Sequence, residues 1–418
     1  MVAVSPAALL IASCSQAQTG DSPAATPSAS AFAIEEKGTF DSPWAMAFAP
    51  GTQVVFITEK PGTMKFVDLA SGRLGTVTGL PQVALGGQGG LGDVAFLESE
   101  SSATLGRRTI YLSWAEAAEG QARNAALGKG TLVCEEADAC RIEGLQVIWR
   151  QSPKVASPGH FSHRIEFSPD GKYLFLGSGE RMQGEPAQAL DNNLGKVLRL
   201  NLDGTPAAGN PFAERGGVSR EIWSYGHRNL AGLQFDLDGQ LWDLEHGPAG
   251  GDEINKVAPG SNYGWPVRSN GNDYDGDDIP DHTADDGYTN PAIFWNPVIA
   301  PGDFIFYSGK LWPEWRNQAI AAGMGSMALV RVSLEGEKGT EEARYAMGKR
   351  IRDIVEGPDG ALYVIEDGGV GLVKGNQRRE CEVGHGSARI GSGKPERNAS
   401  LPSRKRAGDR SAIQPASA

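Results

Sequence analysis

Alternating apolar and polar positions recur along this chain in short runs broken by tight turns, and a period of two predicts strands. One unit returns four times in strong form: a strand ending in an apolar or aromatic pair, a Pro-Gly or Asp-Gly turn, then a β-branched or aromatic strand. It occurs at Ala47-Phe48-Ala49-Pro50-Gly51 before Val54-Val55-Phe56-Ile57-Thr58, and at Ile165-Glu166-Phe167-Ser168-Pro169-Asp170-Gly171 before Tyr173-Leu174-Phe175-Leu176. It returns at Leu233-Gln234-Phe235-Asp236-Leu237-Asp238-Gly239 before Leu241-Trp242-Asp243-Leu244, and at Ile354-Val355-Glu356-Gly357-Pro358-Asp359-Gly360 before Leu362-Tyr363-Val364-Ile365. Looser copies pair Val94-Ala95-Phe96 with Ile110-Tyr111-Leu112, and Phe304-Ile305-Phe306 with Ala319-Ile320-Ala321. Six such hairpins, about 50 to 70 residues apart, predict an all-β, six-bladed β-propeller with long loops gathered on one face.

Composition agrees with a turn-rich β protein: 56 glycines and 25 prolines in 418 residues, with only 22% charged residues. A net charge of −12 argues against a nucleic-acid partner, because phosphate contacts need concentrated Lys and Arg. No apolar run approaches the roughly 18 residues of a membrane helix.

The ends differ from the middle. Ala7-Ala8-Leu9-Leu10-Ile11-Ala12-Ser13-Cys14 resembles the lipobox at which bacterial signal peptides are cut and the cysteine lipidated. That reading makes 1–14 a signal segment with a lipid anchor at Cys14; a plain secretory cut near Ala17-Gln18 is the alternative. The Ser-, Ala- and Pro-rich stretch over 15–35 reads as a flexible linker, residues 36–376 as the propeller, and 377–418, without strand period, as a disordered tail. A periplasmic or exported location at a bacterial membrane follows. Cys134 and Cys140 bracket a loop short enough to close as a hairpin-tip disulfide in such a compartment.

Candidate chemistry sits on loops. His160 precedes the third hairpin and Glu180 follows its second strand, and a histidine oriented by a carboxylate is the usual general base near neutral pH. Arg228 and Asn229 precede the fourth hairpin; His246-Gly247-Pro248 and Asp252-Glu253 follow it, where carbonyls around Gly-Pro suit a hard cation such as calcium. Alternation places Arg350 and Arg352 on one strand face, and with Arg228 these cations suit a multiply anionic ligand. Asn272-Asp273-Tyr274-Asp275-Gly276-Asp277-Asp278-Ile279-Pro280-Asp281 carries alternate aspartates as calcium loops do; the other reading is a solvated acidic loop.

Taken together, several segments carry a resemblance. They are Gly87-Gln88-Gly89-Gly90-Leu91, His160 with Arg164, Gly195-Lys196-Val197-Leu198-Arg199-Leu200-Asn201, Tyr225-Gly226-His227-Arg228-Asn229, His246-Gly247-Pro248 with Asp252-Glu253-Ile254-Asn255, Asn262-Tyr263-Gly264-Trp265-Pro266 and Arg350-Ile351-Arg352-Asp353. In this order, from about Phe40 to Lys374, they resemble the soluble pyrroloquinoline-quinone (PQQ) aldose sugar dehydrogenases of the glucose/sorbosone dehydrogenase family. The resemblance implies oxidation of an aldose to a lactone, with electrons passed to an external acceptor. It implies His160 as the base, Glu180 as its orienting carboxylate, and hydride transfer to C5 of the quinone, whose oxygen Arg228 faces. Gln88, Arg228, Asn229, Arg350 and Arg352 are the implied cofactor contacts. The carbonyls of Gly247 and Pro248 are the implied calcium ligands, and Asp252 and Glu253 match structural positions of the family or, alternatively, a second calcium site. Two departures stand out: Ala321–Met327 lacks the lysine that the family presents to a cofactor carboxylate, and the closing strand is abbreviated at Gly371-Leu372-Val373-Lys374. Two other readings use the same fold: a calcium-dependent lactonase-like hydrolase, and a non-enzymatic ligand-binding propeller.

Overall fold

The computed structural model describes residues 32–368 and 372–377. Its strands form six antiparallel units of four, in chain order, the first two joined into one sheet by parallel pairing of Arg73–Thr78 with Ala139–Arg150. The first is Pro43–Phe48, Val54–Glu59, Thr63–Asp68 and Arg73–Thr78; the second is Leu91–Phe96, Gly106–Ala117, Arg123–Cys134 and Ala139–Arg150. The third is Ser162–Phe167, Tyr173–Ser178, Lys196–Asn201 and Ile222–Tyr225; the fourth is Leu230–Phe235, Leu241–Glu245, Asp252–Lys256 and Ile293–Trp295. The fifth is Pro301–Phe306, Ala319–Gly323, Ala328–Glu335 and Lys338–Ala346. The sixth pairs Ile351–Glu356, Leu362–Glu366 and Leu372–Gln377 with Phe32–Gly38 from the other end of the chain. First strands of neighbouring sheets touch in a closed ring, which is a six-bladed β-propeller. All six hairpins read from the sequence are the inner hairpins of its blades.

Each blade must bury both faces, because a blade lies between two others. Val54–Glu59 is accordingly buried at all six positions. Six apolar clusters result, one per blade junction: Phe56, Phe66 and Val77 meet Phe96, Leu112 and Trp114 between blades 1 and 2, and Val55, Ile57 and Val67 meet Tyr363 and Ile365 between blades 6 and 1. The large aromatic and β-branched content of the strands fills these junctions.

The register explains what the axis holds. Every innermost strand has a pairing irregularity just before or at its third residue, and these third residues are Ala45, Asp93, Arg164, Gly232, Asp303 and Asp353. A bulge releases backbone N–H groups from the ladder. At two junctions the neighbouring blade's aspartate takes one up: Asp353 accepts from Met46 N at 2.7 Å and Asp93 from Ile165 N at 2.9 Å. Arg164 reaches Asp93, Asp303 and Asp353 at 3.7, 3.4 and 3.2 Å, and donates to the Gly302 carbonyl at 2.7 Å. One buried cation therefore joins four blades.

Three expectations change. The closing strand is not abbreviated but runs Leu372–Gln377, and its partner begins at Phe32, so the last four residues of the expected linker 15–35 are strand. Phe32 is buried edge-on against Trp312 and Trp315 of blade 5, a contact more than 270 residues away by roughly the chain numbering, which no local period reveals. Arg164, read only as part of a motif, is the hub of the axis. The predicted disulfide joins Cys134 to Cys140 at the tip of a blade 2 hairpin. The Cys14 anchor and most of the tail 377–418 lie outside the described residues, among which no helix is long and apolar enough to cross a membrane.

Candidate active site

The segments that lead into first strands and those that join second to third strands lie at the same end of the blades. His160 sits on a loop with left-handed backbone at His160, Ser162 and His163 (φ 50°, 62° and 79°), a conformation that costs a non-glycine residue of order 1–3 kcal/mol and persists only where surroundings enforce it. The enforcing group is Arg181. Its fully buried guanidinium donates to the carbonyls of Ser157 and Gly159 at 2.6 and 2.8 Å and lies 3.6 Å over the Phe161 ring.

His160 Nδ1 is hydrogen-bonded to Glu180 Oε1, and Glu180 Oε2 accepts the backbone N–H of Gly184 at 2.6 Å. Burial opposes ionisation of Glu180, but the His160 hydrogen bond and charge outweigh it and hold the carboxyl below its ordinary range. The carboxylate fixes the proton on Nδ1 and leaves Nε2 as the basic nitrogen. Burial, reinforced by the charge of Arg228, lowers the His160 pKa against the opposing pull of Glu180. Both burial and the Arg228 charge favour the neutral ring, the form that can accept a proton.

Beside this pair is a cavity of about 260 Å³ lined by Lys60, Gln88, Asn229, His246, Arg350 and Arg352. Gln88 connects the two, since its Oε1 accepts the His160 backbone N–H at 2.7 Å. It rides on the loop Gly86–Gly90, where a Cβ at Gly87 would come within 2.4 Å of the Pro158 carbonyl. Only glycine permits that approach.

Positive charge dominates here. Arg228 is buried at 5% exposure, has no carboxylate partner among the described residues, and leaves Nε without any acceptor; its Nη atoms reach only His246 O at 3.3 Å and Tyr274 Oη at 3.4 Å. Arg350 and Arg352 share one acid, Asp367, at 2.9 and 2.6 Å. Burial, then the charges of Arg228 and Arg352, press the His246 pKa down to about 3. A site whose cations outnumber the acids paired with them is complementary to an anion.

Comparison with known proteins agrees with this geometry. The family model for glucose/sorbosone dehydrogenase matches residues 40–374. The chain belongs to the glucose/sorbosone dehydrogenase family. By that membership it is an oxidoreductase acting on sugars. It is 36% identical to the aldose sugar dehydrogenase YliI of Escherichia coli over 333 residues, 78% of this chain and 87% of that protein. It superposes on the crystal structure of the soluble aldose sugar dehydrogenase of Escherichia coli in the apo form with a TM-score of 0.76 at 34% identity, covering 83% of this chain and 99% of that one. Quinoprotein glucose dehydrogenase B of Acinetobacter calcoaceticus is 29% identical over 290 residues, 51% of this chain and 60% of that protein.

The calcium candidates of this family member divide. The carbonyls of Gly247 and Pro248 accept no hydrogen bond among the described residues, although both residues are buried; they are free oxygen donors. Asp252 is engaged otherwise: its two oxygens accept Gly247 N at 3.0 Å and Ala300 N at 2.7 Å, which fixes the Gly247 turn against the next blade. Glu253 belongs to a buried acidic group with Asp243 and Glu245, where Asn255 Nδ2 is 3.1 Å from an oxygen of each. His227 Nδ1 lies 3.3 Å from Asp243 and 3.0 Å from Glu245. Burial and the neighbouring Glu245 charge hold the Asp243 and Glu253 carboxyls well above their ordinary pKa. Glu245 also accepts the Arg228 backbone N–H at 2.7 Å, so this cluster positions Arg228. The acidic loop at 272–281 has Asp273, Asp275, Asp277 and Asp278 exposed, and it meets the site through Tyr274.

Sequence reasoning had missed Arg181, Asp243, Glu245, Lys60 and Asp367. For Asp243 and Glu245 a signal existed, because positions two apart on one strand share a face. The others depend on loops brought together from different blades.

Proposed function

We propose that this protein oxidises aldose sugars to lactones with PQQ and calcium, passing the electrons to a separate acceptor. The observation that carries the reading is the buried guanidinium of Arg228, which forms no ion pair among the described residues, beside the His160–Glu180 pair. An anionic cofactor next to a neutral base is what that arrangement accommodates.

When bound, PQQ supplies the two-electron acceptor for the hydride from the sugar's anomeric carbon. His160 Nε2 takes the proton of the anomeric hydroxyl, and Glu180 stabilises the imidazolium that this creates. Asn229, Gln88, Arg228, Arg350 and Arg352 hold the cofactor's polar and charged groups. Gly247 and Pro248 supply two of the six to eight oxygens calcium takes. These two carbonyls would leave most of a calcium shell open, which an anionic cofactor held beside them would help to fill, so the two should bind together. A second calcium at Glu253, with Asp243 and Glu245, would offset the unbalanced charge of that cluster. An exported location, anchored through Cys14, fits the Cys134–Cys140 disulfide.

Adding PQQ and calcium to purified protein should produce aldose-dependent dye reduction that requires both, whereas PQQ-independent hydrolysis of lactones would favour the hydrolase reading. The pH profile gives a finer check. Because burial lowers the His160 pKa, the acid limb of kcat/KM should lie below 6.5. Glu180 pulls that pKa upward, so Glu180→Gln should shift the limb to lower pH while lowering kcat by about 10- to 100-fold through loss of orientation. An unshifted limb in that variant would show that His160 is not the titrating base.

A further inference from the structure

We propose that Lys60 is an unrecognised anion-binding residue of the cavity, joining Arg350 and Arg352 to hold a carboxylate group of the cofactor. This rests on the cofactor reading above.

Lys60 lies in the turn between Val54–Glu59 and Thr63–Asp68 of blade 1, across a blade junction from Arg350 and Arg352 of blade 6, and all three line the same cavity. Its main chain is fixed on both sides: its N–H donates to Ser42 O at 3.0 Å and its carbonyl accepts Leu91 N at 3.1 Å. Gly90, at φ 140°, packs so closely that a Cβ there would stand 2.4 Å from the Lys60 carbonyl. A side chain on so rigid a base is pre-organised to bind.

Its charge has no counterpart. An ammonium has three donors, and among the described residues that of Lys60 has one acceptor, the Gly87 carbonyl at 3.1 Å, and no acid within ion-pair range. Asp367 is occupied by both arginines, Arg350 Nε at 2.9 Å and Arg352 Nη2 at 2.6 Å. Three cations thus face one carboxylate at this end of the cavity. Burial, then the charge of Arg352, lower the Lys60 pKa, and Asp367 offsets part of this; a second carboxylate would offset more. On the blade 5 side the turn offers no cation of its own: Met324 lines the cavity with its sulfur 3.7 Å from Arg350 Nη2.

A purely structural role, tying the glycine loop to blade 1 through Gly87, is the rival. Titration with PQQ in the presence of calcium, followed by tryptophan fluorescence quenching, separates the two; Trp44 lines the cavity. Lys60→Gln keeps an N–H donor for Gly87 and loses the charge, Lys60→Met loses both, and Lys60→Arg keeps both. Thermal melts establish that each is folded. Charge-assisted binding predicts Kd weakened by roughly 10- to 100-fold in both Lys60→Gln and Lys60→Met, with Lys60→Arg within about threefold of wild type. Wild-type affinity in Lys60→Gln overturns the proposal, and if Arg352→Gln loses affinity in the same titration the cofactor reading stands without Lys60. Absence of quenching in the wild type overturns the cofactor reading itself, and the Lys60 assignment with it.

Discussion

Replacing His160 by alanine is expected to lower turnover by about 10²- to 10⁴-fold while leaving PQQ affinity within a few-fold of wild type. In the proposed mechanism the side chain contributes a basic nitrogen, whereas the groups assigned to the cofactor are Gln88, Arg228, Asn229, Arg350 and Arg352. Its one tie to that set, the hydrogen bond to Gln88, uses the His160 backbone N–H and survives the substitution. Pre-steady-state reduction of the loaded enzyme by an aldose, beside a fluorescence titration of PQQ, measures both halves. Near-normal reduction would remove His160 from the chemistry, and a large loss of affinity would make it a cofactor ligand instead.

The second large effect concerns the axis. Arg164→Met should cost about 3–5 kcal/mol of stability, because it leaves Asp93, Asp303 and Asp353 buried without their shared cation. The loss should depend on pH. Burial already raises the Asp93 pKa to about 6 against the opposing charge of Arg164, and burial likewise holds Asp303 well above its ordinary value. Groups raised on folding contribute stability below their unfolded pKa, near 4, and that contribution is lost as pH rises through the folded value. Without Arg164 the folded values rise further, so the window of loss extends upward. Melting temperatures should therefore differ from wild type more at pH 8 than at pH 5. Equal melting temperatures at both pH values would show that the blades close without the arginine.

The same residue marks how far sequence reasoning reaches. In the aligned first strands, Leu91-Gly92-Asp93, Ser162-His163-Arg164, Pro301-Gly302-Asp303 and Ile351-Arg352-Asp353 put a charge at the third place in four of six copies. That recurrence is visible in the chain, but not that the four meet. Likewise His160 and Glu180 were legible as a pair because only one hairpin separates them, which returns the chain to the same end of the blade.

What the chain alone determined is local and periodic. Strand and turn preferences act over a few residues, so the six hairpins, the Cys134–Cys140 closure, the placing of His160 and Arg228 on loops and that of Arg352 on a strand followed from patterns within single blades. Closure of the ring by Phe32–Gly38, the meeting of Arg164 with three aspartates, the capture of Arg350 and Arg352 by Asp367, and the presence of Lys60 beside them were decided by tertiary structure. Each joins blades whose residues lie far apart in sequence, where apposition is set by the packing of apolar blade faces and by loop geometry. Side-chain identity says which charges exist; only the closed ring brings them within reach of one another.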